Sequence, residues 1–382
     1  TTGSNNTGIG YQALESNTTG TQNVSVGSGA LFANTTASNN TAVGFLALEA
    51  NTSGDELVAV GRGALGANTT ANHNTAIGTS SFAANTTGTN NTGCGYNSGA
   101  TNTTGGNNTA IGDFALNANT TANNNTAVGY AALLSNTTGA SNTAVGAEAM
   151  DAATTAHSSV CIGSESGGAI TTGVNNTAVG HQALDATTTS SFNVAVGSGA
   201  LGANTESAQT AVGHNALHNV TTGHSNVAVG TDAGDVLTTG INNVILGRSA
   251  QPSSATVSNE VVLGSSSISA LRCNTQTISA LSDARDKTNV TDLPQGLDFI
   301  TKLRPVKFKW ASRDGNGKDG SYEHGFIAQD LQTAQKENDA DYLNMVLNEN
   351  PDRLEASYGK LVPILTKAIQ ELSAKVTALE AG

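Results

Sequence analysis

Apolar residues in the first 264 positions recur with a period far longer than that of one helix or strand. A glycine preceded by Val, Ile or Leu returns at Gly10, Gly27, Gly44, Gly61, Gly78, Gly95, Gly112, Gly129, Gly146, Gly163, Gly180 and Gly197, every 17 residues. Cys94 stands in the aliphatic place once. After one 16-residue step come Gly213, Gly230, Gly247 and Gly264, making sixteen copies. Three before each glycine stands Thr or Val. Side chains alternate along a strand and branched residues favour one, so each segment predicts a short strand whose Thr/Val and aliphatic positions share a buried face. The position between them is small, as at Ala42, Ala59, Gly93 and Ala127. Three after the glycine stands Ala or Ser through Ala250, usually followed by leucine, as at Leu14, Leu31, Leu48 and Leu65.

A unit this short cannot bury its own face, so the pattern predicts a β-solenoid or β-roll of stacked coils over 1–264. Sixteen coils at a strand spacing of about 4.8 Å span roughly 75–80 Å. The small columns are expected to mark close approach of another backbone, with three chains packed or wrapped side by side. In the last copies, Asn243-Val244-Ile245-Leu246-Gly247 and Glu260-Val261-Val262-Leu263-Gly264, larger residues replace alanine and imply terminal coils with a fatter core. Residues 265–281 read as a Ser-rich connector with apolar Ile268, Leu271 and Ile278.

From 282 the pattern becomes that of a small α+β domain. Asp292 is expected to cap a helix beginning near Pro294, with Leu297, Ile300 and Leu303 on one face. Val306, Phe308 and Trp310 alternate with lysines as a strand. Arg313 to Ser321 reads as a turn region. Gly325 to Ala328 reads as a second strand, Asp330 to Asn338 as a helix, and Leu343–Leu347 and Leu354–Tyr358 as short strands. The chain ends in a helix. Tyr358, Leu365, Leu372 and Leu379 fall seven apart, and Val362, Ile369 and Val376 fall four after the first three. Branched residues at one position and leucine at the other make a coiled-coil seam that by itself favours two strands. The expected assembly is a trimer, with the rest of the domain overriding three short heptads. The alternative is a helix lying on its own domain.

Composition sharpens this division. The chain has 382 residues, a net charge of −13, 44 glycines and only 12% charged residues. Residues 1–281 hold no lysine and only Arg62, Arg248 and Arg272 against 13 acids. That balance gives no footprint for nucleic acid. Few charges and five prolines do not fit disorder. No run of 18 apolar residues suggests a membrane span. The start at Thr1, without methionine, is expected to mark a fragment or processed product. Cys94, Cys161 and Cys273 form neither a disulfide framework nor a metal site, and no cofactor motif is present.

Polar columns carry the remaining candidates. Asn17, Asn34, Asn51, Asn68, Asn85, Asn102, Asn119 and Asn136 form an unbroken column, expected to supply turns because Asn tolerates left-handed geometry and bonds its own backbone. The sharper alternative is an ice- or sugar-binding ladder. The repeat's aromatics, Tyr11, Phe32, Phe45, Phe82, Tyr96, Phe114, Tyr130 and Phe192, occupy shifting columns and read as packing or surface residues, with a receptor patch among them as the alternative.

At the C-terminal domain the sequence resembles a known family. Ser282-Asp283-Ala284-Arg285-Asp286-Lys287 fits the Ser-Asp-X-Arg-X-Lys opening of the intramolecular chaperone, or auto-processing, domain that ends phage tail fibres and tailspikes such as endosialidase. The resemblance continues through Leu303-Arg304-Pro305-Val306, Phe308-Lys309-Trp310 and Glu323-His324-Gly325-Phe326-Ile327-Ala328-Gln329. It ends with Tyr358, Leu361-Val362-Pro363 and Ala368-Ile369-Gln370-Glu371-Leu372. Gly325 departs from the valine that often follows the histidine in that family, and 331–357 fits poorly. The repeat is similar, at motif level, to the heads of trimeric bacterial adhesins.

The resemblance implies a domain, 282–382, that brings three chains together, templates the fibre and cuts itself off between Leu281 and Ser282. Ser282 is then the nucleophile, Lys287 its base and His324 a supporting residue. A lysine of ordinary pKa, about 10.4, serves as a base near neutrality only when desolvated, which burial at a trimer interface would supply. Val362, Leu365, Ile369, Leu372, Val376 and Leu379 would form the trimer coiled coil. The implied protein is a homotrimeric phage tail fibre, assembled in the host bacterial cytoplasm and carried on the virion. It would join tail or baseplate proteins through a further N-terminal part and bind a host surface glycan or protein receptor. The alternatives are a tailspike depolymerase, for which Glu15, Glu49, Asp55, Glu56 and Asp113 offer no recurring pair, and a bacterial trimeric adhesin.

Overall fold

The computed structural model describes residues 2–268, 270–272, 282–310, 322–348 and 354–382. The chain divides into two compact units, Thr1–Gly264 and Ser265–Gly382.

The first unit is a β-solenoid with one three-residue strand per coil. Its strands run from β1 (Thr7–Ile9) through β3 (Thr41–Val43) to β16 (Val261–Leu263). They form a single sheet in sequence order, each strand parallel to the next. The register moves by one coil, pairing Thr41 with Val58 and Val43 with Val60. Across the 16-residue step Val194 still pairs with Thr210, so the shortened turn absorbs the missing residue. Each coil therefore pairs with the next coil of its own chain.

The buried face of the strand is the reverse of the expected one. Ala42 is fully buried between half-buried Thr41 and Val43, and the same pattern recurs in most coils. A coil of 17 residues encloses a space wide enough for alanine from the strand and Ala-Leu pairs such as Ala47-Leu48 from the turn. A branched residue inside would overpack an ordinary coil, and Ile245 fits there only against Gly234, which has no side chain. The small column is thus the core of the coil, not a contact with another chain. The aliphatic column faces outward: Ile77, Ile111, Ile162, Val212 and Val229 are each about two-fifths exposed.

Where the core departs from this rule it does so in matched pairs. Phe82 replaces the usual leucine, and the neighbouring coil gives up two side chains. A Cβ on Gly93 would lie 2.7 Å from the Phe82 ring, and one on Gly99 2.6 Å from it. At Gly167 the vacated space is taken by Cys161 Sγ and Ile170 Cδ1. Burial pushes the Cys161 thiol up to about 12. The marker glycine is required on two grounds. Gly44 has φ +137°, and a Cβ there would lie 2.5 Å from the Gly61 carbonyl oxygen.

The asparagine column also differs from expectation. Left-handed residues fall elsewhere, as at Asn39, Leu46 and Leu48 with φ of 62°, 57° and 52°. Asn34 through Asn136 are buried and form an amide ladder inside the coils. Asn51 Nδ2 donates to Asn34 Oδ1 (3.2 Å) and to the Gly54 carbonyl (2.9 Å), while Gly54 N–H donates to Asn51 Oδ1 (3.1 Å). The bond to its own nearby backbone is as expected; burial removes this column as an external ice or sugar ladder. Where Ala153 ends the column, Asn136 Oδ1 has no hydrogen-bond partner among the described residues.

The second unit is a small α+β domain. Helix α1 (Leu297–Ile300) precedes the antiparallel pair β17 (Val306–Lys309) and β18 (Tyr322–Gly325). Helix α2 (Ala328–Lys336) and the pair β19 (Val346–Leu347) and β20 (Glu355–Ala356) follow, and α3 (Leu361–Glu380) ends the unit. Phe299, Leu331, Met345, Leu361 and Ile364 form its core. Three expectations shift. The second strand ends at Gly325 rather than starting there, and Ile327 already caps α2. Asp292 does not cap α1; the first helical N–H, on Leu297, donates to Glu371 Oε2 at 2.8 Å. The turn region at 313–321 lies outside the described residues. Among those described, no helix is long and apolar enough to cross a membrane.

Candidate functional site

The hexapeptide 282–287 folds on itself. Asp283 Oδ1 accepts the Arg285 N–H and caps a 3-10 turn over Ala284–Asp286. The Arg285 guanidinium closes on the same carboxylate at 2.6 Å. Its hydrogen bonds, followed by that of the Arg285 N–H, hold the Asp283 carboxyl below its usual range. The Lys287 N–H donates to the Ala284 carbonyl at 3.2 Å, which turns the chain back. Lys287 Nζ then reaches Ser282 Oγ and donates to it at 2.7 Å. The spacing of Ser, Asp, Arg and Lys thus builds a local turn that brings the serine and lysine of the motif into direct contact. Both are exposed. Leu281, the residue before the serine, lies outside the described residues.

His324 is exposed on β18, opposite Lys307 of β17. No hydrogen bond among the described residues joins it to Ser282 or Lys287. Lys307 and Lys309 both lie over the Tyr322 ring, 4.3 Å and 4.5 Å from its centroid. The end of β18 is held by Tyr358, whose Oη accepts the Phe326 N–H at 3.2 Å. A Cβ on Gly325 would stand 2.4 Å from that oxygen, so the glycine noted above as a departure makes room for Tyr358.

Helix α3 has two apolar faces. Leu361, Ile364 and Ala368 are buried in the unit's own core, and Glu371 continues that face to cap α1. Val362, Leu365, Ile369, Leu372, Val376 and Leu379 lie on the other and are 43–82% exposed. The helix therefore does lie on its own domain, and it also presents the seam from Val362 to Leu379, whereas Tyr358, the first expected member, precedes the helix and packs on Phe326.

Some contacts escaped the sequence reading. Glu371 and Tyr358 act on partners 74 and 32 residues away, beyond any local pattern. Asp151 and Asp185 occupy the same column two coils apart, with Gly168 between them. Burial first, then repulsion from Asp185 and Glu165, raises the Asp151 carboxyl above its usual value, and burial followed by repulsion from Glu165 does the same for Asp185. Aligning the coils in register exposes that column. Among the described residues, no group of three His, Cys, Asp or Glu side chains is placed to hold a metal ion.

No curated protein matches this chain. No solved structure matches it. Residues 282–339, which hold the Ser282–Lys287 turn and His324 and stop short of α3, match the family model described as the chaperone of endosialidase, and the joining of such a segment to a β-solenoid fits a tail-fibre or tailspike type of protein.

Proposed function

We propose that this chain is a homotrimeric phage tail fibre whose C-terminal unit assembles three copies and is then released by self-cleavage at Leu281–Ser282. The observation that carries this reading is the 2.7 Å Ser282–Lys287 contact, within a segment matching the chaperone of endosialidase family. Ser282 Oγ attacks the Leu281 carbonyl carbon. The lysine, when neutral, takes the hydroxyl proton. The Ser282 nitrogen leaves as an amine, and water hydrolyses the resulting ester to a new C-terminus at Leu281. His324, exposed on β18, is assigned a supporting part.

Assembly supplies what the single chain lacks. The serine and lysine are exposed in one copy. Packing three copies around the α3 seam would desolvate the turn and favour the neutral amine. The exposed aliphatic column of the solenoid would bury itself in the same event, with coils side by side rather than intertwined. Release of the unit then separates unfolding from refolding, which is a kinetic trap. The remaining fibre would join other tail proteins and bind a host surface receptor.

Denaturing gels test the proposal. Wild type should yield two fragments, whereas Ser282→Ala and Lys287→Met should stay full length while still assembling. Identical bands in wild type and Ser282→Ala would end the cleavage claim.

A further inference from the structure

One small region of the solenoid wall brings three aromatic rings into contact. Tyr96, Asp113 and Tyr130 take the position just after the marker glycine in three consecutive coils. Phe114 stands between the two tyrosines, with ring centroids 5.3 Å from Tyr96 and 6.3 Å from Tyr130, both edge to face. Tyr96 and Tyr130 are each about half exposed. Asp113 Oδ1 accepts the Tyr96 N–H at 2.8 Å, which fixes the carboxylate among the rings. Its Oδ2 has no hydrogen-bond partner among the described residues. The same column elsewhere holds small residues such as Ser28, Thr79, Ser164 and Ser198, basic ones such as Arg62 and His181, and the aromatics Tyr11 and Phe45, which have no third ring between them.

We infer that Tyr96, Phe114 and Tyr130, with Asp113, form a binding platform for a neutral oligosaccharide. The two tyrosines sit two coils apart, roughly 10 Å along the stack. That spacing suits alternate sugar rings of an extended chain, whose C–H faces rest on aromatic surfaces while the tyrosine hydroxyls stay in water. The fixed carboxylate accepts hydrogen bonds from sugar hydroxyls, and charge makes those bonds strong.

The surroundings select against other occupants. Residues 1–281 carry 13 acids, three arginines and no lysine, so an acidic polymer or nucleic acid is repelled. A stable protein partner needs about 800 Å² on each side, more than three partly buried rings supply. A second copy packed along the solenoid would meet every coil, whereas the rings occupy three. The platform needs only the folded solenoid and stands whether or not Ser282 cuts.

Calorimetric titration of the purified protein with cellohexaose and maltohexaose, and with hexagalacturonate as the acidic control, tests this. At least one neutral hexaose should bind with Kd on the order of 0.1–1 mM, and hexagalacturonate should not bind. The double variant Tyr96→Ser/Tyr130→Ser takes the residue that other coils use, so it should keep the fold and assembly and weaken binding at least about tenfold. Phe45→Ser, in the same column but outside the cluster, should leave binding unchanged. Absence of binding by both neutral hexaoses at about 10 mM, equal binding by the double variant, preference for hexagalacturonate, or a changed oligomeric state in the double variant would each overturn the inference.

Discussion

Every coil of the solenoid meets the coil one repeat further on, and meets it with the same columns of side chains. In the C-terminal unit the ordering contacts occur once and join distant residues: Phe326 to Tyr358, Gln295 to Tyr342, and Leu297 to Glu371, which are 32, 47 and 74 positions apart. The difference teaches where each region is vulnerable. A solenoid spreads its stability over nearest-neighbour interfaces, so one defect is local and its neighbours can compensate. The C-terminal unit has a small core and leaves its longest apolar face uncovered. Alone it is the weaker body. In an assembly it has the most apolar surface to gain.

The sharpest break in that comparison targets the uncovered face. Leu372→Asp lies on the exposed side of α3, so the unit should fold while the proposed trimer is lost entirely. Light scattering should report monomers, and cleavage should stop with them.

A core defect in the solenoid comes next. Phe82→Ala should cost about 3–5 kcal/mol in chemical denaturation. Phe82→Leu should cost less, and adding Gly99→Leu, which returns the usual leucine to both coils, should recover most of the Phe82→Leu loss. A double variant no better than the sum of its parts would show that the columns are not interchangeable.

Loss of the distant cap should be smaller. Glu371→Ala removes the acceptor of the Leu297 N–H and should destabilise the C-terminal unit by about 1 kcal/mol, with no change in solenoid unfolding. An effect on both units would contradict their separate stabilities.

The smallest effect is a pH dependence confined to the solenoid. Burial, then repulsion from Glu165, raises the Asp185 carboxyl above its usual 3.8, so the folded chain holds this proton more tightly than the unfolded chain. The stabilisation is complete below about pH 4 and is lost as pH rises through the raised value. Asp185→Asn should therefore raise Tm slightly at neutral pH and have no effect near about pH 4.

The period and the strands were legible because sixteen repetitions make a column visible even where one coil breaks it. The buried face was not. Hydrophobicity ordinarily tracks burial, but a lumen this narrow admits alanine and turns valine outward. The asparagine ladder was hidden for a related reason: each amide is satisfied by the amide one coil away, a partner that only the stacking reveals. The Ser282–Lys287 pairing was legible only through the family resemblance; the turn built by Asp283 and Arg285 that brings the two together emerges from the structure. The contacts of Tyr358 and Glu371 were not legible, since nothing near them in sequence names Phe326 or Leu297 as partners.

The central claim is that assembly leads to a cut before Ser282, and the intact mass of the assembled wild-type protein tests it most directly. The account predicts two chains, one ending at Leu281 and one beginning at Ser282. A trimer that retains a single uncut chain of 382 residues would contradict it.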